Sequence, residues 1–408
     1  MNLHPKNRDK SWPQRPTSDV APPRHKDTKM GPDGGGLRTP GDLGVLGGST
    51  PVSGLHAVIL CGGRGERFWP KSRRVLPKQF VSLFGRQSLT QETSTRVLPL
   101  CPPKHQLFVA PAEFESVLRS QLGASARLVF EPHGRNTAPA IGLAAEYLKH
   151  RDPGATMLVL PADHLIEDRA AFLKAVQMGV QLAQKGALVT FGIRPDRPDT
   201  GYGYVQLGSR VAGKGRLTAH RVDAFKEKPS PARARMYLAA GNYVWNSGMF
   251  IWRVDAILAA FREFMPGFYA ELETFGKAIG TRREKPALDQ LYRDAPSISI
   301  DYAVMEKADN VACVRGAFDW DDVGSWFALA RHIKPDHHGN VANGLLVARD
   351  SSHCVIDSDS GIVAALGVND LVIVRAGDAV LVADKKSLTD IKQLLADIAV
   401  LPHGRRFL

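Results

Sequence analysis

A short apolar strand that ends in a glycine-rich loop is the feature that most constrains this chain. Residues Ala57–Leu60 are apolar and partly β-branched, which is typical of a buried parallel strand. Gly62, Gly63 and Gly65 follow at once, and their missing Cβ atoms let backbone N–H groups approach an anion closely. Several cations accompany this loop, among them Arg64, Arg67, Arg73, Arg74 and Lys78. The segment therefore predicts a binding site for a polyphosphate.

This loop differs from the better-known phosphate-binding loops. It has no G-x-x-x-x-G-K-[ST] pattern, so the usual NTPase geometry with a Ser/Thr on magnesium is not indicated. The G-x-G-x-x-G pattern is also missing, because Phe68 stands where its third glycine would be. The proline at Pro70 and the run Pro77-Lys78-Gln79 favour a specific phosphate loop over a plain glycine turn with solvated arginines.

Apolar runs and helical spacings alternate from Leu55 to about Trp326, which predicts an α/β fold with a mainly parallel sheet and helices on both faces. The carboxyl ends of parallel strands face one crevice, where ligands bind. Gly62, Glu131 and Asp163 each follow a predicted strand, so we expect them to meet there. The predicted strands are Gln106–Ala110, Leu128–Phe130, Met157–Leu160 and Leu188–Phe191, and the predicted helices are Ala138–Leu148 and Ala170–Ala183.

Beyond about His337 the sequence predicts a different, smaller domain. Short β-rich runs recur at close spacing, and helical periodicity returns only at Leu388–Ile398. We therefore expect a nucleotide-binding domain over 54–332 and a small β domain with a terminal helix over 337–408. The expected strands are Gly344–Ala348, Cys354–Ile356, Ile362–Leu366, Leu371–Val374 and Ala379–Ala383.

Composition and charge limit the compartment and the partners that are expected for the chain. Residues 1–53 are rich in Pro, Gly and charged residues, and they predict a disordered extension. The formal charge of +12 is scattered, and it lacks the motifs of a nucleic-acid binder. The cysteines Cys61, Cys101, Cys313 and Cys354 form no C-x-x-C pair, and no apolar run suits a signal core or a membrane span. We expect a cytoplasmic protein that binds neither nucleic acid nor membrane.

The run GGRGERFWPKSRRVLPKQF, from Gly62 to Phe80, resembles the signature of sugar-phosphate nucleotidylyltransferases. Its PKQF ending is similar to the mannose-1-phosphate guanylyltransferase branch. Further motifs of that family occur in the same order across most of the chain. They are EPHGRNTAPAIGLAA from Glu131, LPADHLI from Leu160, GYGYVQ from Gly201, FKEKP from Phe225, NSGMF from Asn246 and WDDVGSW from Trp320.

The resemblance implies a fold, a reaction and a metal. The fold is a Rossmann-like nucleotidyltransferase domain followed by a left-handed β-helix-like domain, in a short form without the isomerase domain of bifunctional relatives. The reaction joins GTP and mannose 1-phosphate into GDP-mannose, with release of pyrophosphate. The implied cofactor is Mg²⁺, with Mn²⁺ or Co²⁺ as alternatives, and its ligands would be Asp163 and Asp322. Asp321 is adjacent and could be mistaken for the second ligand.

Other positions match family residues that hold the nucleotide. Arg67 and Lys78 would hold the triphosphate and stabilise charge on the departing pyrophosphate. The loop at Leu60, Gly62, Gly63 and Gly65 would cradle the phosphates. A carboxylate at Glu131 can accept both donors on one edge of guanine, whereas relatives that use thymine or uracil commonly carry Gln there. Arg135 and Asn136 would shape the base or ribose contact. A pairing of Glu131 with an arginine is the structural alternative.

The sugar site is expected to come from a separate group of polar residues. Glu227 and Asn246 match residues that bond sugar hydroxyls, Lys228 matches one that meets the sugar phosphate, and Gly203 leaves room for the ring. His164 is a weak candidate for a base because the attacking phosphate is already ionised.

The sequence leaves alternatives to this interpretation open. They are the same chemistry on a heptose or glucose 1-phosphate or with UTP, and a catalytically silent sugar-nucleotide sensor. The resemblance also favours a homodimer.

Overall fold

The computed structural model describes residues 51–63 and 65–408, which contain a nine-stranded sheet and a separate four-stranded sheet. The extension expected over 1–53 lies outside the described residues except for its last three positions, and Arg64 lies outside them as well. In this part of the chain, no helix is long and apolar enough to cross a bilayer.

The large sheet has a parallel half and a mixed half. The strands are β1 (Leu55–Leu60), β2 (Gln106–Pro111), β3 (Leu128–Glu131), β4 (Thr156–Pro161), β5 (Leu188–Ile193), β6 (Tyr204–Lys214), β7 (Leu217–Lys226), β8 (Tyr243–Arg253) and β9 (Val311–Arg315). Strands β3, β2, β1 and β4 lie side by side and parallel, and β8 then pairs antiparallel with both β4 and β5. The order β3-β2-β1-β4-β8-β5-β9-β7-β6 confirms the predicted α/β class.

Helices cover both faces of this sheet because successive side chains of each buried strand point in opposite directions. The helices are α1 (Leu89–Val97), α2 (Glu115–Leu122), α3 (Thr137–Arg151), α4 (Arg169–Ala183), α5 (Pro231–Ala240), α6 (Val254–Phe264), α7 (Pro266–Ala278), α8 (Glu284–Asp294), α9 (Phe327–His332) and α10 (Ile391–Ala399). In β1, Val58 packs in the cluster that contains helices α3, α6 and α7, whereas Ala57 packs in the cluster that contains α4.

The second sheet confirms the predicted C-terminal β domain. Its strands are β10 (Val341–Arg349), β11 (Val355–Leu366), β12 (Leu371–Ala376) and β13 (Ala379–Asp384); the first three are parallel, and β13 is antiparallel to β12. The two strands expected at Cys354–Ile356 and Ile362–Leu366 are joined in the single strand β11. Gly344 and Gly361 adopt positive φ angles of 117° and 68°, so β10 and β11 bend without ending.

The C-terminal sheet packs directly against the chain that follows the glycine loop. The ammonium of Lys71 lies 2.6 Å from the carboxylate of Asp357, whose side chain is fully buried. The indole of Trp69 donates a hydrogen bond of 2.7 Å to the carbonyl of Phe407. Arg73 donates to that same carbonyl and to Asp378. Arg73, one of the cations that accompany the glycine loop, and Trp69 and Lys71 of the signature motif thus join the two parts of the fold.

Candidate active site

Two adjoining cavities open at the carboxyl edge of the parallel strands. The main cavity has a volume of about 550 Å³, and its lining includes Leu60, Gly62, Glu131 and Asp163 from the ends of β1, β3 and β4. The second cavity, about 400 Å³, is lined by the glycine loop, Arg67, Lys78, Asp322 and Gly324. Both cavities share a set of lining residues: Gly62, Gly63, Asp163, His164 and Asp322.

The glycine loop is held by side chains of the motif that follows it. Gly65 has a φ of 61°, and a Cβ atom there would lie 2.5 Å from the Cβ of Lys78. The amide of Gln79 donates to the carbonyls of Cys61 and Gly63 at 3.1 and 3.2 Å, and the hydroxyl of Ser72 donates to the carbonyl of Gly65 at 2.7 Å. The loop is therefore fixed through its carbonyl oxygens. No sequence pattern predicts these contacts of Gln79 and Ser72.

A backbone pairing brings the two predicted metal-binding residues into one place. Leu165 and Asp321 exchange backbone hydrogen bonds of 2.9 and 3.0 Å. This bridge sets the residues around Asp163 beside those around Asp322, and both aspartates line both cavities. Such a long-range pairing leaves no periodic signal in the sequence.

Lys78 joins the same two segments. Its ammonium lies 2.8 Å from the carboxylate of Asp163 and donates to the carbonyls of Asp322 and Val323, both at 2.9 Å. An ammonium has three donors, and these contacts use all of them. Burial acts to raise the pKa of Asp163, but the charge and the hydrogen bond of Lys78 act against it, and this pKa lies below its ordinary value. Asp163 is therefore held as a carboxylate.

Asp321 and Asp322 have different environments although they are adjacent. The Asp321 carboxylate contacts Arg331 and His332, and it accepts a 2.8 Å hydrogen bond from the backbone N–H of Val323. Burial acts to raise the pKa of Asp321, but hydrogen bonds from His332 and Arg331 keep it well below its usual range. Asp322 faces the cavities and accepts a 2.7 Å hydrogen bond from the hydroxyl of Tyr202. Tyr202, within the GYGYVQ motif, was missed by sequence reasoning.

The two aspartates form a donor set that suits Mg²⁺. This ion prefers oxygen ligands, keeps several waters and commonly takes one or two carboxylates together with substrate phosphates. Within residues 51–63 and 65–408, no three His, Cys, Asp or Glu side chains are grouped closely enough to hold a metal by themselves. Asp163 and Asp322 therefore fit an ion whose remaining ligands come from substrate and water.

His164 is buried beside Asp163 but is engaged by its neighbours. The indole N–H of Trp320 donates to its Nδ1 at 3.1 Å, and Arg96 donates to its backbone carbonyl at 3.1 Å. Burial lowers the pKa of His164 despite the attraction of Asp163 and Asp322, so the ring is neutral near pH 7. Its contacts indicate a packing role beside the candidate metal-binding segment.

The base-recognition candidates occupy different positions. Glu131 is 5% exposed, lines the main cavity and accepts a 3.0 Å hydrogen bond from the hydroxyl of Tyr292 rather than from an arginine. Burial raises its pKa to about 7. Asn136 also lines the cavity, and its side chain caps helix α3 through the N–H of Thr137. Arg135 lies instead against the end of α8, where it donates to the carbonyls of Tyr292 and Arg293.

The predicted sugar residues lie in the main cavity with one exception. Gly203, Glu227 and Asn246 all line it, and a Cβ atom at Gly203 would clash with Oε2 of Glu227. Asn246 accepts from Thr190 at 2.8 Å and donates to Asp301 at 2.9 Å. Lys228 lines a neighbouring cavity instead, with its ammonium 2.6 Å from Glu227.

Asp301 is another cavity residue that was not predicted from the sequence. It begins a π-helical turn over Asp301–Met305 and lines the main cavity. Burial and the nearby charge of Glu227 raise its pKa to about 6. Such turns occur often at functional sites, but the sequence offers no pattern that predicts one.

Comparisons with known proteins agree with this architecture. A family model described as Nucleotidyl transferase matches residues 56–338, and one described as MannoseP isomerase/GMP-like beta-helix domain matches residues 344–398. The fold and the crevice are thus those of a nucleotidyltransferase. A solved structure described as mannose-1-phosphate geranyltransferase from Thermus thermophilus is 39% identical, with a TM-score of 0.78, and the match covers 85% of this chain and all of that one.

Curated relatives narrow the group further. Mannose-1-phosphate guanylyltransferase of Escherichia coli is 41% identical over 348 residues, which are 83% of this chain and 73% of that protein. Alginate biosynthesis protein AlgA of Pseudomonas aeruginosa is 37% identical over 357 residues, which are 84% and 71% of the two chains. The chain belongs to the mannose-1-phosphate guanylyltransferase family.

Proposed function

We propose that this enzyme makes GDP-mannose and pyrophosphate from GTP and mannose 1-phosphate. The observation that carries the proposal is that one cavity holds the glycine loop, both aspartates, the buried Glu131 and the sugar candidates Glu227 and Asn246. A phosphate oxygen of the sugar phosphate bonds to the α-phosphorus of GTP. The bond from that phosphorus to its bridging oxygen breaks, and the electron pair leaves with pyrophosphate.

Positioning and charge are the main tasks of this chain's residues. The backbone of the glycine loop and Arg67 would hold the triphosphate. Asp163 and Asp322 would hold a divalent ion, which we propose to be Mg²⁺, with Mn²⁺ or Co²⁺ as alternatives. When bound, this ion would neutralise charge on the phosphates. Lys78 would orient both aspartates rather than contact phosphate, because its three donors are already used.

The two substrates would be recognised by separate groups. The Glu131 carboxylate would accept the N1–H and N2–H₂ donors of guanine, with Asn136 nearby and Arg135 holding the adjoining backbone. Glu227 would accept hydrogen bonds from sugar hydroxyls, Asn246 would donate to one, and Gly203 keeps the space beside Glu227 free. Lys228 would reach the sugar phosphate only after leaving its present contact with Glu227.

We also propose a compartment and an oligomeric state for the enzyme. Four buried free thiols suit a reducing, cytoplasmic compartment. A homodimer is supported by large apolar side chains that the C-terminal sheet exposes: Leu345, Val347, Ile362, Leu366, Val380 and Val382. Sedimentation of the full chain tests the dimer, and a monomer at micromolar concentration would contradict it.

A substrate panel tests the proposed reaction. Pyrophosphate release is measured with GTP, UTP, dTTP or ATP, each paired with mannose, glucose or heptose 1-phosphate, and Asp322→Asn is the inactive control. We expect the highest kcat/KM for GTP with mannose 1-phosphate. A higher value for another pair would reassign the substrates, and no release from any pair would contradict the proposed transfer.

A further inference from the structure

The terminal helix α10 contributes one residue to the catalytic cavities. Lys392 lines the second cavity together with Gly63, Arg67 and Asp322. The other described lining residues of this cavity lie between 62 and 324, so Lys392 is its single contribution from the C-terminal domain.

Packing against the residues that follow the glycine loop fixes the backbone position of Lys392. Its neighbour Ile391 is 4% exposed and packs in the same apolar cluster as Phe68 and Trp69, which follow the glycine loop. Helix α10 contacts the turn Glu66–Phe68 directly. The backbone of Lys392 is therefore tied to the loop, while its side chain is exposed to the cavity.

The charge balance of the second cavity leaves a role for this lysine. Lys78 is committed to Asp163 and to the carbonyls of Asp322 and Val323. Among the described lining residues, Arg67 and Lys392 are the two Lys or Arg side chains that form no ion pair. A triphosphate carries about four negative charges at neutral pH, and its terminal phosphates need cations that are free to meet them.

We propose that the Lys392 ammonium binds the β- and γ-phosphates of the nucleotide and, after transfer, the pyrophosphate product. This inference rests on the proposed function, because it concerns the same nucleotide. It makes the C-terminal domain part of the phosphate site and not only a support for it.

Binding of inorganic tripolyphosphate and of GTP, measured by calorimetry on the full chain, tests the proposal without requiring turnover. Lys392→Ala should weaken both by about tenfold, the usual scale for one charge-assisted contact to phosphate. Lys392→Arg should restore most of the affinity. The KM for mannose 1-phosphate should stay unchanged in both variants. The matched control is Lys386→Ala, an exposed lysine of the same domain that lines neither cavity.

The outcomes separate this inference from the proposed reaction. If the wild-type enzyme makes GDP-mannose but Lys392→Ala binds tripolyphosphate as tightly as wild type, the role of Lys392 is wrong and the reaction stands. If the wild-type enzyme makes no product, the reaction is wrong and the tripolyphosphate titration still decides on Lys392. Lys392→Gln, with its melting temperature measured beside the alanine variant, separates lost affinity from lost folding.

Discussion

The ammonium of Lys78 lies 2.8 Å from the carboxylate of Asp163 and also donates to the carbonyl of Asp322, which is 244 positions further along the chain. One buried cation thus fixes the relative positions of both candidate metal ligands. It belongs to the motif that shapes the glycine loop, so the proposed phosphate site and the proposed metal site share this anchor.

Replacing Lys78 should show whether its ion pair supports catalysis in addition to stability. Lys78→Met leaves the Asp163 carboxylate without its counter-charge, and we expect kcat/KM to fall by at least about a hundredfold, with about 2 kcal/mol lost from the free energy of unfolding. Lys71→Met is the control because it breaks another buried pair, with Asp357, away from the cavities. It should lose similar stability and keep kcat/KM within about threefold. Equal kinetic losses in both variants would contradict this role for Lys78.

The pKa of Glu131 predicts a pH-dependent affinity for GTP. Burial raises this pKa to about 7, and only the carboxylate can accept both guanine donors. Between about pH 8 and about pH 6 the ionised fraction falls by about tenfold, so the KM for GTP should rise by a similar factor. Glu131→Gln should remove this dependence and lower the GTP:UTP ratio of kcat/KM. The proposed base recognition would be wrong if that variant kept both the pH profile and the ratio of wild type.

Gly65 should tolerate no side chain. Gly65→Ala requires a φ of 61° for alanine and places its Cβ 2.5 Å from the Cβ of Lys78, so about 1–3 kcal/mol of stability should be lost. The comparison is Gly62→Ala, where no described atom lies within 4 Å of the added Cβ. Thermal melting should show a lower midpoint for Gly65→Ala alone. Equal midpoints would mean that the loop relaxes around the new methyl group.

Substitution of Asp321 should lower stability, whereas substitution of the adjacent Asp322 should abolish activity. Asp321→Asn weakens its contacts with Arg331 and His332, so about 2 kcal/mol of unfolding free energy should be lost while metal binding persists. Asp322→Asn should keep the melting temperature of wild type and lose metal-dependent turnover. Melting curves and pyrophosphate release measured on both variants check this contrast, and the reverse pattern would exchange the two roles.

The sequence predicted the parts of the site that depend on strand ends. Apolar runs that alternate with helical stretches located β1, β3 and β4. The rule that ligands bind at the carboxyl edge of parallel strands then predicted that Gly62, Glu131 and Asp163 lie together. The family resemblance supplied Asp322, which no local pattern connects to the others.

Contacts that depend on tertiary geometry could not be predicted in this way. The partners of Lys78 include two backbone carbonyls. Because every residue has a backbone carbonyl, no residue type in the sequence marks these partners. Arg135 and Lys228 match family motifs, yet the structure places their side chains against Tyr292 and Glu227. The π-helical turn at Asp301 leaves no periodic signal, and Gly361 marks a bend within β11 although glycine more often indicates a turn.

The most direct test of the central claim is a Mn²⁺ titration in the presence of GTP, followed by electron paramagnetic resonance. Wild type, Asp163→Asn, Asp322→Asn and the double variant are compared. If both carboxylates hold one ion, each single variant should weaken binding about as much as the double variant, because residues that act as a unit are not additive. Wild-type affinity in either single variant would contradict the account, and so would independent, additive losses.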